Sequence, residues 1–187
     1  TTVGFLLGDA TREAAEQNSD IGGRAILSGA QCYLGGGTWF QKAEGIEDSP
    51  EQIFEDWCLQ DHPMNRYNDR EIAWTYAQNC VATFDFLTEN GVDWDAVRQD
   101  RLDSVPRRTR PKQWPIESER IVPRQLGPGL MRPLERSAKA KGVVFLLQHR
   151  MRTIIRENPT SGRVLGVTAM EVDRWYEPTG RTVTIRA

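Results

Sequence analysis

A fold that mixes α-helices and β-strands is predicted by three features of the sequence. Residues 49–58 and 68–90 carry apolar side chains at helical spacing. Residues 143–147 form a fully apolar run, which is typical of a strand buried on both faces of a parallel sheet. Residues 151–186 alternate between apolar and polar side chains and contain two turn motifs. The predicted fold class is therefore mixed α/β and α+β.

The glycine-rich stretch 20–38 lies ahead of these elements. Six of its nineteen residues are glycine, a composition that opposes regular helix or strand and lets the main chain approach a partner closely. A flexible linker is the alternative interpretation. The glycines are interleaved with apolar residues that favour burial, including Ile21, Tyr33 and Leu34. We therefore expect a buried loop that lines a ligand.

Short motifs in this stretch resemble those of FAD-binding flavoproteins of the fumarate reductase, succinate dehydrogenase and 3-ketosteroid dehydrogenase group. The motifs are Gly22-Gly23, Ser28-Gly29-Ala30-Gln31 and Tyr33-Leu34-Gly35-Gly36-Gly37-Thr38. In that family the corresponding main chain lies along the flavin. The resemblance implies FAD as the cofactor and a partial Rossmann-like FAD/NAD(P)-binding domain. The cofactor-binding residues that it implies in this part of the chain are Gly22, Gly23, Arg24, Ser28, Gly29, Ala30, Gly35, Gly36 and Gly37.

Two helices are predicted after the glycine-rich stretch. Ser49 provides an N-cap, Pro50 suits the first helical position, and Gln52 completes a capping box. A longer helix is expected from about Asn68 to Asn90, with Gly91 at its C′ position. Its apolar stripe is predicted to be Ile72, Tyr76, Cys80, Phe84 and Leu87, widened by Ala73, Ala77 and Val81. We expect the aromatic side chains of both helices to pack in a core rather than to form an aromatic cofactor site.

Regular periodicity is lost between residues 95 and 128, where proline and arginine dominate. A loop of this length is usually functional or poorly ordered. The family resemblance would allow Arg107, Arg108 and Arg110 to lie near a substrate carboxylate or carbonyl. The interpretation that we favour from the sequence is a solvated basic loop. His62 and His149 each lack a carboxylate at motif spacing, so structural roles are expected for both.

The last third of the chain predicts a helix, a strand and a three-stranded meander. Residues 129–142 are predicted to form a helix closed by Gly142, and turns are predicted at 158–162 and 177–180. The same order of elements occurs in the FAD-binding domain of the resembled family. There, main chain just beyond the buried strand meets the adenine, which implies Arg150 and Met151 as further cofactor-binding residues.

The start of the chain lacks a dinucleotide-binding fingerprint. Residues 10–16 have helix-forming composition, and only Gly4 and Gly8 precede them, so no Gly-x-Gly-x-x-Gly turn can be written. Because such a turn normally holds the FAD pyrophosphate, we expect this polypeptide alone to bind FAD no more tightly than about micromolar, or roughly −8 kcal/mol. The absence also favours an alternative, in which the chain is a non-catalytic remnant or an accessory subunit of such a flavoprotein.

Charge and cysteine content limit the classes of partner. Residues 1–97 hold 17 acidic and 5 basic side chains, whereas residues 98–187 hold 9 and 19, so we expect the two halves to pair. The basic residues are separated by prolines, which argues against nucleic acid as a partner. Three widely spaced cysteines indicate reduced thiols and a cytoplasmic location, with no metal site. The sequence has no apolar run long enough to cross a membrane.

The predicted domain organisation follows the resemblance. Residues 1–45 are interpreted as a partial FAD-binding segment, 46–128 as a helical and irregular substrate-covering domain, and 129–187 as the return to the FAD-binding domain. The predicted function is part of a FAD-dependent oxidoreductase that transfers hydride between the flavin and a carbon next to a carbonyl or carboxylate. The small-molecule substrate would be a ketosteroid or a dicarboxylate, and a partner chain could complete the site. The sequence leaves the catalytic residues unknown.

Overall fold

A computed structural model describes residues 13–58, 67–100, 103–114 and 126–186. These residues form two compact units, one containing 13–27 and 135–186 and the other containing 28–134. The helices are α1 Gly23–Ile26, α2 Trp39–Ala43, α3 Pro50–Cys58, α4 Arg70–Glu89 and α5 Gly127–Ala140. The strands are β1 Glu13–Ala15, β2 Cys32–Tyr33, β3 Trp94–Arg98, β4 Arg108–Pro111, β5 Val144–Leu146, β6 His149–Asn158, β7 Ser161–Val172 and β8 Pro178–Arg186.

The first unit contains a parallel strand pair that the sequence did not indicate. Residues 13–15 form β1, which pairs in parallel with β5, so the helix expected at 10–16 is wrong for these residues. Ladder hydrogen bonds to β5 outweigh the helix-forming composition, which is only a weak local preference. Residues 10–12 lie outside the described ranges. The strand predicted at 143–147 is confirmed as β5, but Val144 is 54% exposed, so burial on both faces is wrong.

The meander in the same unit is confirmed. Strands β6, β7 and β8 pair in that order, all antiparallel. The first turn lies where it was predicted, between Asn158 and Ser161. The second turn lies earlier than predicted, because β8 already begins at Pro178. Asp173 builds this turn, since its Oδ1 accepts hydrogen bonds from the N–H groups of Trp175 and Glu177.

The two predicted helices of the second unit are confirmed. Ser49 Oγ accepts from the N–H of Gln52 at the start of α3, and Asp69 accepts from Glu71 and Ile72 at the start of α4. The buried face of α4 lies within the predicted apolar stripe, but Ile72 at its edge is exposed. Ile72 is 69% exposed, and the buried face consists of Ala73, Ala77, Cys80 and Phe84. Small alanines rather than Ile72 allow the helix to approach its neighbours.

A small antiparallel sheet occupies part of the region that was predicted to be irregular. Its strand order is β2, β4, β3, so the loop expected throughout 95–128 is wrong for 95–98 and 108–111. The short helix α1 and strand β2 likewise lie within the glycine-rich stretch, for which regular structure was not expected. The expected aromatic core is confirmed. Phe84 is fully buried and stacks on Trp94 at a centroid distance of 4.7 Å.

Candidate cofactor site

The glycine-rich stretch begins in the first unit with two glycines in left-handed backbone conformations. Gly22 has φ 95° and Gly23 has φ 50°, values that side-chain-bearing residues rarely adopt. Gly22 is buried, and the chain then enters α1, on which Arg24 is exposed. The two glycines therefore form a tight turn with no side chain between the main chain and its surroundings.

A buried carboxylate lies just beyond the carboxyl end of β1. Glu16 is 2% exposed, and its Oε1 accepts hydrogen bonds from the main-chain N–H of Asn18 at 3.0 Å and from Asn18 Nδ2 at 2.8 Å. Glu16 Oε2 is also buried and has no hydrogen-bond partner among the described residues. An unpartnered buried oxygen is costly unless a donor reaches it.

The same end of β1 is joined to the start of β6, where Arg150 and Met151 lie. The N–H of His149 donates to the carbonyl of Glu16 at 2.7 Å, and the N–H of Gln148 donates to the carbonyl of Asn18 at 3.0 Å. The structure thus brings Arg150 and Met151 close to Glu16 in one unit. His62 lies outside the described residues, whereas the Nδ1 atom of His149 is 2.7 Å from the carbonyl of Leu147.

This arrangement fits the adenosine half of a dinucleotide. In sheets with parallel strands, ligands bind beyond the carboxyl ends of the strands, and an acidic residue accepts from a ribose hydroxyl. Glu16 supplies a carboxylate with one open acceptor at such an end. Reasoning from the sequence missed Glu16 because residues 10–16 were interpreted as a helix. An acidic residue six positions before Gly22-Gly23 was the available signal.

The middle of the glycine-rich stretch belongs to the second unit. Ser28 Oγ accepts from the N–H of Ala30 at 3.0 Å, and the carbonyl of Ser28 accepts from the N–H of Gly127. Ala30 is buried and has φ 45°, a left-handed conformation that is unusual for alanine. Ser28, Gly29 and Ala30 therefore form an ordered turn rather than a flexible linker.

Gly35, Gly36 and Gly37 are packed against side chains of their own unit. The N–H of Gly36 donates to Asp48 Oδ2 at 2.7 Å, and the N–H of Gly37 donates to Gln41 Oε1 at 3.1 Å. A Cβ atom at Gly35 would lie 2.5 Å from Asp48 Oδ2. The absence of a side chain at Gly35 is thus required by internal packing, and two of the three N–H groups are engaged within the chain.

Arg107 is the centre of a buried ionic cluster beside these glycines. Its guanidinium donates from Nε to Asp48 Oδ2 at 2.9 Å and from Nη2 to Asp48 Oδ1 at 2.8 Å. It also bonds Asp56, and it lies 3.6 Å from Asp103. All four side chains are at most 3% exposed. The solvated basic loop favoured from the sequence is therefore wrong for Arg107.

The pKa values of Asp56 and Asp103 are shifted in opposite directions. Burial raises the pKa of Asp103, and the carboxylates of Asp56 and Asp48 add to this effect against the attraction of Arg107. Burial alone would also raise the pKa of Asp56. Hydrogen bonds from Ser104 and Arg107 outweigh burial there and hold the pKa of Asp56 below its usual range. The cluster therefore favours charge on Asp56 and disfavours it on Asp103.

The neighbouring arginines are also paired with carboxylates of this chain. Arg108 pairs with Asp100, and Arg110 Nη2 lies 2.9 Å from Asp95 Oδ2. Arg107–Asp48 and Arg110–Asp95 join the two halves of the sequence and supply part of the pairing expected from the charge distribution, whereas Arg108 and Asp100 both lie in the basic half. Tyr76 donates from its hydroxyl to the carbonyl of Tyr33, and burial raises the pKa of Tyr76. Tyr76 thus remains a protonated, structural tyrosine.

The predicted cofactor residues are divided between the two units. The first unit holds Gly22, Gly23, Arg24, Arg150 and Met151, and the second holds Ser28, Gly29, Ala30, Gly35, Gly36 and Gly37. Within the described ranges, no group of three or more His, Cys, Asp or Glu residues could hold a metal ion. No helix in these ranges has the length and apolar character needed to cross a membrane.

The first unit contains a parallel strand pair, a glycine turn and a buried carboxylate beyond the strand end. Residues 25–187 match the model of the FAD binding domain family. The chain therefore belongs to this family, and its cofactor is FAD. It represents the FAD-binding domain of the fumarate reductase and ketosteroid dehydrogenase flavoprotein group, and the resemblance seen in the sequence is confirmed. No curated protein matches the chain.

Solved structures show the same fold. A 3-ketosteroid-Δ4-(5α)-dehydrogenase from Rhodococcus jostii RHA1, in complex with 4-androstene-3,17-dione, is 26% identical with a TM-score of 0.71. The match covers 94% of this chain and 38% of that chain. The open conformation of a flavocytochrome c3 fumarate reductase is 22% identical with a TM-score of 0.63, and the match covers 83% of this chain and 25% of that chain. The quinol fumarate reductase of E. coli is 15% identical with a TM-score of 0.55, and the match covers 94% of this chain and 26% of that chain. The chain spans well under half the length of each of these proteins.

Proposed function

We propose that the chain is part of a FAD-dependent oxidoreductase that acts on a ketosteroid-type substrate. The observation that carries this proposal is the 26% identity to a 3-ketosteroid dehydrogenase over 94% of the chain. The flavin supplies hydride transfer to or from a carbon next to the substrate carbonyl, forming or reducing a C–C double bond. The protein contributes binding, orientation and exclusion of water.

The pairing of the arginines supports a ketosteroid over a dicarboxylate. A dicarboxylate site needs positive side chains that are available to the substrate. Arg107, Arg108 and Arg110 were the candidates for that role, and each has a carboxylate partner within the chain. Arg107 is moreover buried within its cluster. A neutral, largely apolar ketone does not require such cations.

Several residues of the chain are proposed to hold FAD. Glu16 Oε2 accepts from a ribose hydroxyl, and main chain at Arg150 and Met151 meets the adenine. Main chain at Gly22, Gly23 and Arg24 approaches the cofactor closely because the two glycines place no side chain there. The turn Ser28–Ala30 and the segment Gly35–Gly37 complete the set proposed to lie along the flavin.

The remaining parts of the proposal concern the surroundings of the cofactor. Residues 46–128 are assigned to a substrate-covering domain, and a partner chain could complete the site. A cytoplasmic location is supported by Cys32, Cys58 and Cys80, which are all free thiols. Glu16 is not a catalytic residue in this proposal, because it contacts the adenosine end of the cofactor.

Anaerobic flavin bleaching tests the proposed reaction and substrate. The protein is loaded with FAD, and its visible absorbance is followed after addition of a saturated 3-ketosteroid or of succinate, with dithionite as the control for full reduction. We expect bleaching with the ketosteroid and none with succinate. Bleaching with succinate alone would overturn the substrate class. No bleaching by either compound, with FAD bound and reducible by dithionite, would favour a non-catalytic accessory chain.

Binding measurements test the proposed role of Glu16. Glu16→Gln keeps the volume but removes the charge, so we expect FAD affinity to fall by about tenfold, equivalent to about 1.4 kcal/mol, with FMN affinity unchanged. Glu13→Gln is the matched control, because Glu13 is an exposed glutamate of the same strand. Equal FAD affinities of the Glu16→Gln variant and the parent protein would remove Glu16 from the cofactor site.

A further inference from the structure

A chain of hydrogen bonds leads from the protein surface to the buried carboxylate of Glu16. The hydroxyl of Tyr176 donates to Asn18 Oδ1 at 3.1 Å, and Asn18 Nδ2 donates to Glu16 Oε1 at 2.8 Å. A tyrosine hydroxyl has one proton to donate, and the side-chain oxygen of asparagine can only accept. The acceptor oxygen of Glu16 requires Asn18 Nδ2 to face it, and donation from Tyr176 to Asn18 Oδ1 supports this orientation.

The orientation of Asn18 decides which oxygen of Glu16 remains open. With Nδ2 facing Glu16, Oε1 receives two donors from Asn18, one from the side chain and one from the main chain. Oε2 is buried and has no hydrogen-bond partner in the described part of the chain. If the amide rotated by 180°, Asn18 Oδ1 would face Oε1, and two acceptors would repel each other.

The backbone at Tyr176, whose hydroxyl contacts Asn18, is held in an unusual conformation. Tyr176 has φ 65°, and Gln148, which bonds Asn18, has φ 58°. Tyr176 is fixed by two contacts: its N–H donates to the carbonyl of Asp173 at 2.9 Å, and its carbonyl accepts from Arg150 Nη2 at 3.2 Å. Left-handed conformations at bulky residues cost free energy and often occur at functional sites.

We propose that Tyr176 and Asn18 are positioning residues that orient Glu16 Oε2 toward the ribose of FAD, with Arg150 holding Tyr176 in place. This inference rests on the proposed contact between Glu16 and the ribose. It adds the turn between β7 and β8 to the cofactor site, a segment that the sequence did not connect with FAD. Arg150 thus acts through its side chain as well as through its main chain.

Affinities for three ligands test this proposal with the full chain. FAD and ADP both carry the adenosine ribose, whereas FMN lacks it. Tyr176 is 46% exposed, so Tyr176→Phe is expected to leave the melting temperature unchanged while removing the donor to Asn18. We expect three- to fivefold weaker binding of FAD and ADP, with no change for FMN. Trp175→Phe, at a 70% exposed position of the same turn, is the matched control and should bind all three ligands like the parent protein.

A second variant increases the expected effect. Asn18→Asp still accepts from Tyr176 but presents a carboxylate to Glu16, so FAD and ADP affinities should fall by about tenfold or more. Unchanged affinities in both variants, with Glu16→Gln still impaired, would overturn the positioning role while leaving the ribose contact intact. Equal losses for FMN and FAD would also overturn it, because they would indicate general disruption. Normal FAD binding by Glu16→Gln would instead refute the ribose contact itself.

Discussion

Glu16 and Asp48 are both buried carboxylates, one in each compact unit, but their partners differ. Asp48 receives two hydrogen bonds from Arg107, one from the N–H of Gly36 and one from Gln41, so its charge is compensated within the chain. Among the residues that the structure describes, the Glu16 carboxylate receives hydrogen bonds only from the uncharged Asn18 and keeps one open oxygen. The comparison distinguishes a carboxylate that holds the fold together from one that is available to a ligand.

Asp103 shows that an unpartnered oxygen alone does not mark a ligand site. Its Oδ2 is buried without a partner, as is Glu16 Oε2. Asp103, however, lies in a cluster of three aspartates around one arginine, where burial and like charge raise its pKa. Glu16 is distinguished by its position at the carboxyl end of a parallel strand, where nucleotides bind.

Removal of the Arg107 guanidinium should have the largest effect on the free energy of unfolding. Arg107→Met would leave Asp48 and Asp56 buried without their charged partner, so we expect a loss of about 3–5 kcal/mol in the free energy of unfolding. Urea denaturation followed by circular dichroism measures this. Arg110→Met is the control, because the Arg110–Asp95 pair is partly exposed and should contribute less than about 1 kcal/mol. Similar losses in the two variants would contradict the structural role of the cluster.

Addition of one methyl group at Gly35 should have the next largest effect. The new Cβ would lie 2.5 Å from Asp48 Oδ2 and 2.7 Å from Arg107 Cδ, so Gly35→Ala is expected to cost about 1–3 kcal/mol by overpacking. Gly45→Ala is the comparison, since Gly45 has φ 70° and no heavy atom would lie within 4 Å of its Cβ. Gly45→Ala should lower the free energy of unfolding only by the cost of a left-handed backbone conformation at alanine, about 1 kcal/mol. A smaller loss for Gly35→Ala than for Gly45→Ala would refute the packing argument.

Neutralisation of Asp56 and of Asp103, whose pKa values are shifted in opposite directions, should have opposite effects on the free energy of unfolding. These effects should be the smallest among the predictions. The folded-state pKa of Asp56 is lower than its usual value of 3.8, so this carboxylate stabilises the fold above pH 3.8. The stabilisation is lost as pH falls through the folded-state pKa. The folded-state pKa of Asp103 is higher than 3.8, so the free energy of unfolding decreases as pH rises from 3.8 through the folded-state pKa. At pH 7, Asp56→Asn should therefore destabilise the protein by about 1 kcal/mol, whereas Asp103→Asn should not.

Melting temperatures of both variants between pH 3 and pH 7 measure this difference. The parent protein and Asp103→Asn should converge toward the acidic end of the range, because Asp103 is then protonated in both the folded and unfolded states. A destabilised Asp103→Asn variant at pH 7 would show that the attraction of Asp103 to Arg107 outweighs its burial.

Local signals in the sequence predicted part of the fold. The caps of α3 and α4 and the Gly91 terminus are encoded within a few residues, and so are the alternating strands of the meander. Strand β1 could not be predicted in this way. It has three residues of helix-forming composition, and only pairing with β5, about 130 residues later in the chain, makes it a strand.

The candidate site was predictable to a similar extent. The glycine turns follow from motifs, and the FAD cofactor that the family resemblance implied is confirmed. The adenine contact of Arg150 and Met151, implied by the same resemblance, stays a prediction. Glu16 was missed because its role depends on a strand that local composition does not reveal. Arg107 was interpreted as solvated because neighbouring arginines look alike in a sequence. Burial of Arg107 depends on Asp48 and Asp56, which lie more than 50 residues earlier.

Because Gly35 has no side chain, the residues at positions 35 and 107, which are far apart in the sequence, depend on each other. The space that a Cβ would take is filled by the stem of Arg107, so the residues at 35 and 107 cannot change independently. A relative with alanine or a larger residue at the position of Gly35 should carry a smaller side chain at the position of Arg107. It should also lack the carboxylate that corresponds to Asp48. Covariation of these three positions, 35, 48 and 107, is therefore an expected evolutionary record of this contact.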